Sequence, residues 1–230
     1  MQKNLTATQK FDTPAPVSVV LDVPAGHVRL IAADRPDTTV EILPANPSRS
    51  RDVRTAERTG VTYDDGTLRI VTAPAKSRMP GITGALEVTV QVPAGSHVRA
   101  DIPVAELRGV GRLGDVTVEA AQGTVKLDET GAARLTLQAG DITLGRLGGS
   151  AELRTRKGNL TVTEAVRGTV SLRTESGDIS VGAARGTSAT LDAGTAYGRV
   201  RNTLSNTEGA QAALSLHATT SHGDITARSN

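Results

Sequence analysis

Residues 158–181 read GNLTVTEAVRGTVSLRTESGDISV, and two short motifs alternate within them. The first is Gly, then Asp or Asn, then apolar, Thr or Ser, apolar: GNLTV at 158 and GDISV at 177. The second is Gly, Thr or Ser, two further residues and Leu: GTVSL at 168. Inside each motif the side chains alternate. Val170 and Leu172 face one way while Ser171 and Arg173 face the other, which is the period of a β-strand. Glycine marks each corner, where a positive φ costs little only without a Cβ. Asp or Asn follows because its short side chain can bond the backbone of the turn.

The same motifs recur on both sides of this stretch. GDVTV at 114, GDITL at 140 and GDITA at 223 belong to the first series. GTVKL at 123, GSAEL at 149 and, with one extra residue, GTSATL at 186 belong to the second. Gly140 to Gly158 is 18 residues and Gly158 to Gly177 is 19, so one rung of about 18–19 residues holds two strands. Equal rungs imply stacking, with equivalent residues about 4.8 Å apart in neighbouring parallel strands. Val118, Leu144, Val162 and Val181 are expected to form one apolar column. A single repeat cannot bury that face alone, so the stack is the folding unit. GAARLTL at 131 reads as an added strand, and residues 197–211 read as a stretch in the late rungs. No apolar run keeps helical spacing for more than a turn, so no helix is expected.

Residues 1–105 are less regular. Strands are expected at Val17–Val23, His27–Ala32, Thr39–Leu43, Gly60–Tyr63, Thr67–Val71, Leu86–Val92 and His97–Ile102. Asp64-Asp65-Gly66 reads as a hairpin turn. Segments 44–59 and 73–84 read as surface loops. The reading is an all-β chain with residues 1–105 covering the first rung and residues 106–230 forming the solenoid repeats, as one continuous domain.

Composition agrees with a narrow aliphatic interior. One Phe, two Tyr and no Trp leave Val, Leu, Ile and Ala to build the core. The absence of Cys excludes a disulfide framework and thiolate metal sites. A net charge of +2, from 26 basic and 24 acidic residues, is no nucleic-acid footprint. The opening MQKNLTATQKFDTPAP lacks an apolar signal core, and no run of 18 apolar residues is present. A cytoplasmic location without membrane insertion is expected.

Strands that end in Val-Pro-Ala-Gly (VPAG at 23 and at 92) and then serial Gly-Asp-Ile/Val repeats resemble an uncharacterised bacterial β-strand-repeat family known as putative adhesins. AYGRVRN at 196–202 and the closing HATTSHGDITARSN resemble its actinobacterial branch. The resemblance covers nearly the whole chain. It implies a single-stranded right-handed parallel β-helix and supplies no catalytic residues.

Several clusters invite a functional reading. The corner column Asp115, Asp141, Asn159, Asp178 and Asp224 offers either a carboxylate ladder or turn-satisfying side chains. Asp141 and Asp178 fall two rungs apart, about 9–10 Å, near the upper limit for an inverting glycosidase pair. Asn159 interrupts the column and Arg199 replaces Asp in the late rung, which favours the structural role. Arg154 and Arg173, with Arg156 adjacent, form either a basic stripe suited to phosphate, sulfate or an acidic polysaccharide or, as the more ordinary reading, a solvated outer face with weak ion pairs to Glu152 or Glu175. Thr117, Thr143, Thr161, Ser180 and Thr226 read as ordinary exposed strand residues rather than an ice-binding array. Arg49, Arg51, Arg54 and Arg58 read as a soluble loop. His27, His97, His217 and His222 form no metal pattern, and no cofactor is expected.

The expected function is a non-enzymatic structural or binding module for a protein or carbohydrate partner, with a carbohydrate-active enzyme on a β-helix scaffold as the rival. The last rung, ending at Asn230, is expected to present an open edge covered by the N-terminal region or by another subunit. In the second case the chain is a homo-oligomer through its C-terminal rung.

Overall fold

The apolar alternation of each repeat produces strands with one buried face, and these stack in two columns. The computed structural model describes residues 8–74 and 84–230. In the first column Thr67–Thr72, Ser18–Asp22, His97–Asp101, the first half of Val116–Thr130, Ala133–Ala139, Ala151–Arg154 and Gly168–Ser176 follow one another in parallel. In the second, Leu86–Pro93, Ala25–Ala33, Val104–Arg112, the second half of Val116–Thr130, Ile142–Leu147, Leu160–Ala165 and Ile179–Ala183 do the same. One aliphatic core joins both columns from Val17 to Ala227. The fold is an all-β solenoid.

The column membership differs from the expectation in one respect. Leu144, Val162 and Val181 do stand in register, preceded by Leu127 and followed by Ala227. Val118 does not join them: it pairs with Ala100 and Leu135 in the first column. GAARLTL is therefore no added strand but the regular first-column strand Ala133–Ala139. The cause is that the GDVTV motif at 114 opens a first-column strand, whereas its later copies open second-column strands. The two motif series are alike enough to exchange places.

Corners are held by two sets of hydrogen bonds. Buried threonine hydroxyls donate across the turn: Thr130 to the Gly114 carbonyl at 2.8 Å, Thr174 to Gly158 at 3.1 Å and Thr220 to Gly177 at 3.1 Å. The Asp/Asn side chains accept from the next rung, as described below. Gly158 shows why the corner excludes a side chain. Its φ is +146°, and a Cβ there would lie 2.1 Å from the Gly140 carbonyl oxygen.

The N-terminal end is closed by strands that run against the stack. Gln9–Asp12 pairs antiparallel with Asp37–Pro44, which pairs antiparallel with Leu86–Pro93. Thr59–Asp64 pairs antiparallel with Thr67–Thr72 through the expected hairpin, where Asp65 has φ 44° and Gly66 φ 72°. Phe11 and Tyr63, from these two outer strands, pack with ring centroids 5.5 Å apart. All seven expected N-terminal strands are present, and Gln9–Asp12 is additional.

Segment 44–59 is not a loop: Ser50–Glu57 is an α-helix carrying Arg51 and Arg54. Its buried side chains are Asp52 and Thr55, so its inner face gives no apolar signal. Asp52 Oδ1 accepts the Ala85 amide at 3.1 Å, and Thr55 Oγ1 accepts the Gly84 amide at 3.1 Å. Of the second expected loop, 73–84, residues 75–83 lie outside the described residues.

The C-terminal rungs stack out of chain order. Leu214–His222 lies between Gly168–Ser176 and Ala189–Tyr197, parallel to both. Ile225–Ser229 likewise lies between Ile179–Ala183 and Val200–Thr203. The expectation that the C-terminal rung is the open end is corrected: it is internal, and residues of the same chain cover it. The exchange follows hydrophobicity. Leu214, Leu216 and Ile225 are buried to 1% exposure or less, whereas Leu191 and Ala193 in the outer rung are only partly buried and Val200 is 44% exposed. A fully buried large aliphatic side chain is worth about 1.5–3 kcal/mol, so the more apolar rung goes inside.

Candidate functional site

The lateral edge where first-column strands end gathers the basic stripe. Register pairs Arg154 with Arg173, one rung apart. The sequences Leu153-Arg154-Thr155-Arg156 and Leu172-Arg173-Thr174-Glu175 place Leu and Thr inward and the charged residues outward. Thr155 and Thr174 are buried and bond the corner, which fixes where the neighbouring charges project.

These charges are partly compensated. Glu152 takes Arg154 and also Arg134, the latter at 3.3 Å. Glu175 takes Arg156 at 3.5 Å. Among the described residues, Arg173 and Lys157 have no carboxylate partner within 4.0 Å.

Beside the stripe lies a shallow groove of about 650 Å³, lined by Gln138, Arg156, Lys157, Glu175, Ser176 and His222, among others. Lys157, Ser176, His222 and Tyr197 stand in successive register positions. The Tyr197 ring stacks on His222 with centroids 4.9 Å apart and planes 9° apart, and Tyr197 is 71% exposed. Arg156 is legible in the sequence as a site residue, whereas its neighbours Lys157, Tyr197 and His222 are not. The signal available was the Arg156-Lys157 pair at a corner. The exchanged rung order sets His222 between Ser176 and Tyr197.

The corner carboxylates are engaged with backbone. Asp141 Oδ1 accepts the Asn159 amide at 2.7 Å, Asn159 Oδ1 the Asp178 amide at 2.8 Å and Asp178 Oδ1 the Asp224 amide at 2.8 Å. Asp224 Oδ1 accepts the Arg199 amide at 2.8 Å, so Arg199 ends the ladder as a donor only. Asp115 is not in this column. It stands at a first-column corner, where Oδ1 accepts the Ala132 amide at 2.9 Å and its own amide donates to His97 Nδ1 at 3.0 Å. The remaining histidines are dispersed: His27 pairs with Glu106 at 3.0 Å and His217 with Asp192 at 3.5 Å. Among the described residues no group of three or more His, Cys, Asp or Glu side chains is arranged to hold a metal ion. No helix among them is long and apolar enough to cross a membrane.

The family model Toastrack DUF4097 matches residues 85–228. The chain belongs to that family. Among solved structures, this Toastrack chain is similar to a putative adhesin from Bacteroides fragilis: 16% identity, TM-score 0.60, with 99% of this chain and 98% of that chain covered. It is also similar to a putative adhesin (14% identity, TM-score 0.44) and a putative lipid binding protein (13%, 0.46) from Parabacteroides distasonis, each with 96% of both chains covered. The likeness of the Toastrack chain to the Bacteroides fragilis protein is one of fold. No curated protein matches the sequence.

Proposed function

We propose that this Toastrack chain is a non-enzymatic binding module that uses its lateral edge to hold an anionic polymer, with an acidic polysaccharide as the preferred class. The observation that carries the reading is the run of cations there: Arg154 and Arg173 in register, and Arg156 and Lys157 lining the groove. Rungs repeat about every 4.8 Å, so a chain of sulfates or carboxylates laid along the coil meets Arg154 and Arg173 on two adjacent rungs, between Thr136 and Thr219. Tyr197, stacked on His222 at the groove's end, adds an exposed ring of the kind that packs on sugar faces. The term adhesin fits such a module, and membership of the family supports it. The coil is taken as right-handed, the hand that parallel crossovers adopt.

Isothermal titration with dextran sulfate tests the proposal. The wild-type chain should bind, and the Arg156→Ala/Lys157→Ala variant should bind at least about tenfold more weakly, a loss of ~1.4 kcal/mol. Equal binding by both would refute the site, and no binding by either would refute the ligand class. The rival reading, a carbohydrate-active enzyme acting through Asp141 and Asp178, has less support because both carboxylates already accept backbone amides. Polysaccharide depolymerisation that disappears in Asp141→Asn and Asp178→Asn would restore it.

A further inference from the structure

The two ends of the solenoid are built differently. At the N-terminal end, antiparallel strands lie over both columns, and the Phe11–Tyr63 ring pair spans them. The outer strands there are short and charged, with Lys10, Asp12 and Asp64, which discourages further pairing. At the other end, Ala189–Tyr197 and Val200–Thr203 pair on one side only, with Leu214–His222 and Ile225–Ser229. No further strand among the described residues pairs with their outer edges, where the Ala189 amide alone donates, to the Ser205 carbonyl at 3.0 Å. Ala189–Tyr197 carries no Pro, Lys or Arg, the residues that commonly blunt an edge, while the shorter Val200–Thr203 carries the one such residue, Arg201. Between the two edges the core ends on the partly buried Leu191, Ala193 and Leu204. Tyr197 and Val200, two of the four large apolar side chains exposed among the described residues, both belong to this rung.

We propose that the rung Ala189–Thr203 docks a second copy of the chain, the two solenoids meeting end to end about a twofold axis perpendicular to the coil. A partner for this end must offer two strand edges at the spacing of one solenoid's interior, with apolar side chains between them. A single extended peptide satisfies one edge and leaves the core uncovered. The same rung of a second copy has both edges at the required spacing, and a twofold axis pairs them antiparallel. Val200 enters the interface from both copies, while Tyr197, stacked on His222 at the lateral edge, stays outside it. Because the N-terminal end is closed, assembly stops at two chains and no filament grows.

Size exclusion with light scattering on the full chain tests this at submillimolar concentration. The expected mass is twice 23.8 kDa. Val200→Lys and, separately, Asn202→Lys place a charge on exposed positions of the outer rung, and each should weaken the dimer at least about tenfold. Thermal melting confirms that each variant folds, and two independent positions guard against one failing. Hydrogen exchange should slow in Ala189–Thr203 as concentration rises. A monomer at every concentration overturns the proposal, as does a dimer that both variants leave intact. A mass that keeps rising with concentration overturns the closed twofold. Since Val200 and Asn202 do not line the lateral groove, dextran sulfate binding by the variants separates this result from the fate of the proposed function.

Discussion

At the scale of single residues, the corners divide labour between side chains that look interchangeable in sequence. The Asp/Asn positions serve as acceptors, each oxygen taking the amide one rung on, and a carboxylate and a carboxamide do this equally well. Asn159 already occupies the column between Asp141 and Asp178. Asp178→Asn should therefore leave stability within about 0.5 kcal/mol of wild type, while Asp178→Ala strands the Asp224 amide and costs roughly 0.5–1.5 kcal/mol. Urea unfolding of the three proteins reads the difference, and equal losses in both variants would deny the acceptor role. Asp37 is a different case. The Arg35 and Lys10 side chains donate to its carboxylate at 2.8 and 3.0 Å. They hold its pKa down from 3.8 to about 2. A carboxyl group with a lowered folded-state pKa adds stability above its unfolded value and loses it as pH falls through the folded one. The melting temperature of wild type should exceed that of Asp37→Asn at pH 7, and the gap should close between pH 4 and pH 2. A gap unchanged at pH 2 would show that the ion pairs contribute nothing.

At the scale of elements, strand positions were legible because alternation and glycine corners are local. The hairpin at Asp65-Gly66 and the seven N-terminal strands follow from such signals. The helix Ser50–Glu57 was not legible. Its inner face is Asp52 and Thr55, held by hydrogen bonds to the amides of Ala85 and Gly84 some 30 residues away. Periodicity of apolar residues cannot report a face that is polar. Column membership failed for a related reason: the pattern Gly-Asp-apolar-Thr-apolar opens a strand in either column. The motif alone therefore could not place Val118 with Leu135 rather than with Leu144. Of the candidate site, Arg154, Arg156 and Arg173 were visible as a stripe because rung length fixes their spacing. Lys157 stands beside them, and the exchanged rungs set His222 between Ser176 and Tyr197 at the same edge.

At the scale of the whole molecule, the exchange of the last two rungs makes an unusual demand on truncation. In a solenoid, stability is close to a sum of rungs and of the interfaces between neighbours. Removing Gly223–Asn230 takes an internal strand out of the second column. Val200–Thr203 loses its pairing partner, Ile179–Ala183 loses its outer neighbour, and the first column stays full length beside a gap. Removing everything from Thr187 onward takes both late rungs together and leaves a stack ending evenly at Gly168–Ser176 and Ile179–Ala183. The shorter deletion should therefore be the more damaging. Urea unfolding followed by circular dichroism should give the 187–230 deletion a single transition with a smaller slope, in proportion to the surface it no longer buries. The 223–230 deletion should unfold at lower urea, in a broadened transition. The opposite ranking would mean that Ala189–Thr203 stabilises the stack without the strand now lying beneath it. The inner rung's apolar advantage at Leu214, Leu216 and Ile225 would then not be what sets the order.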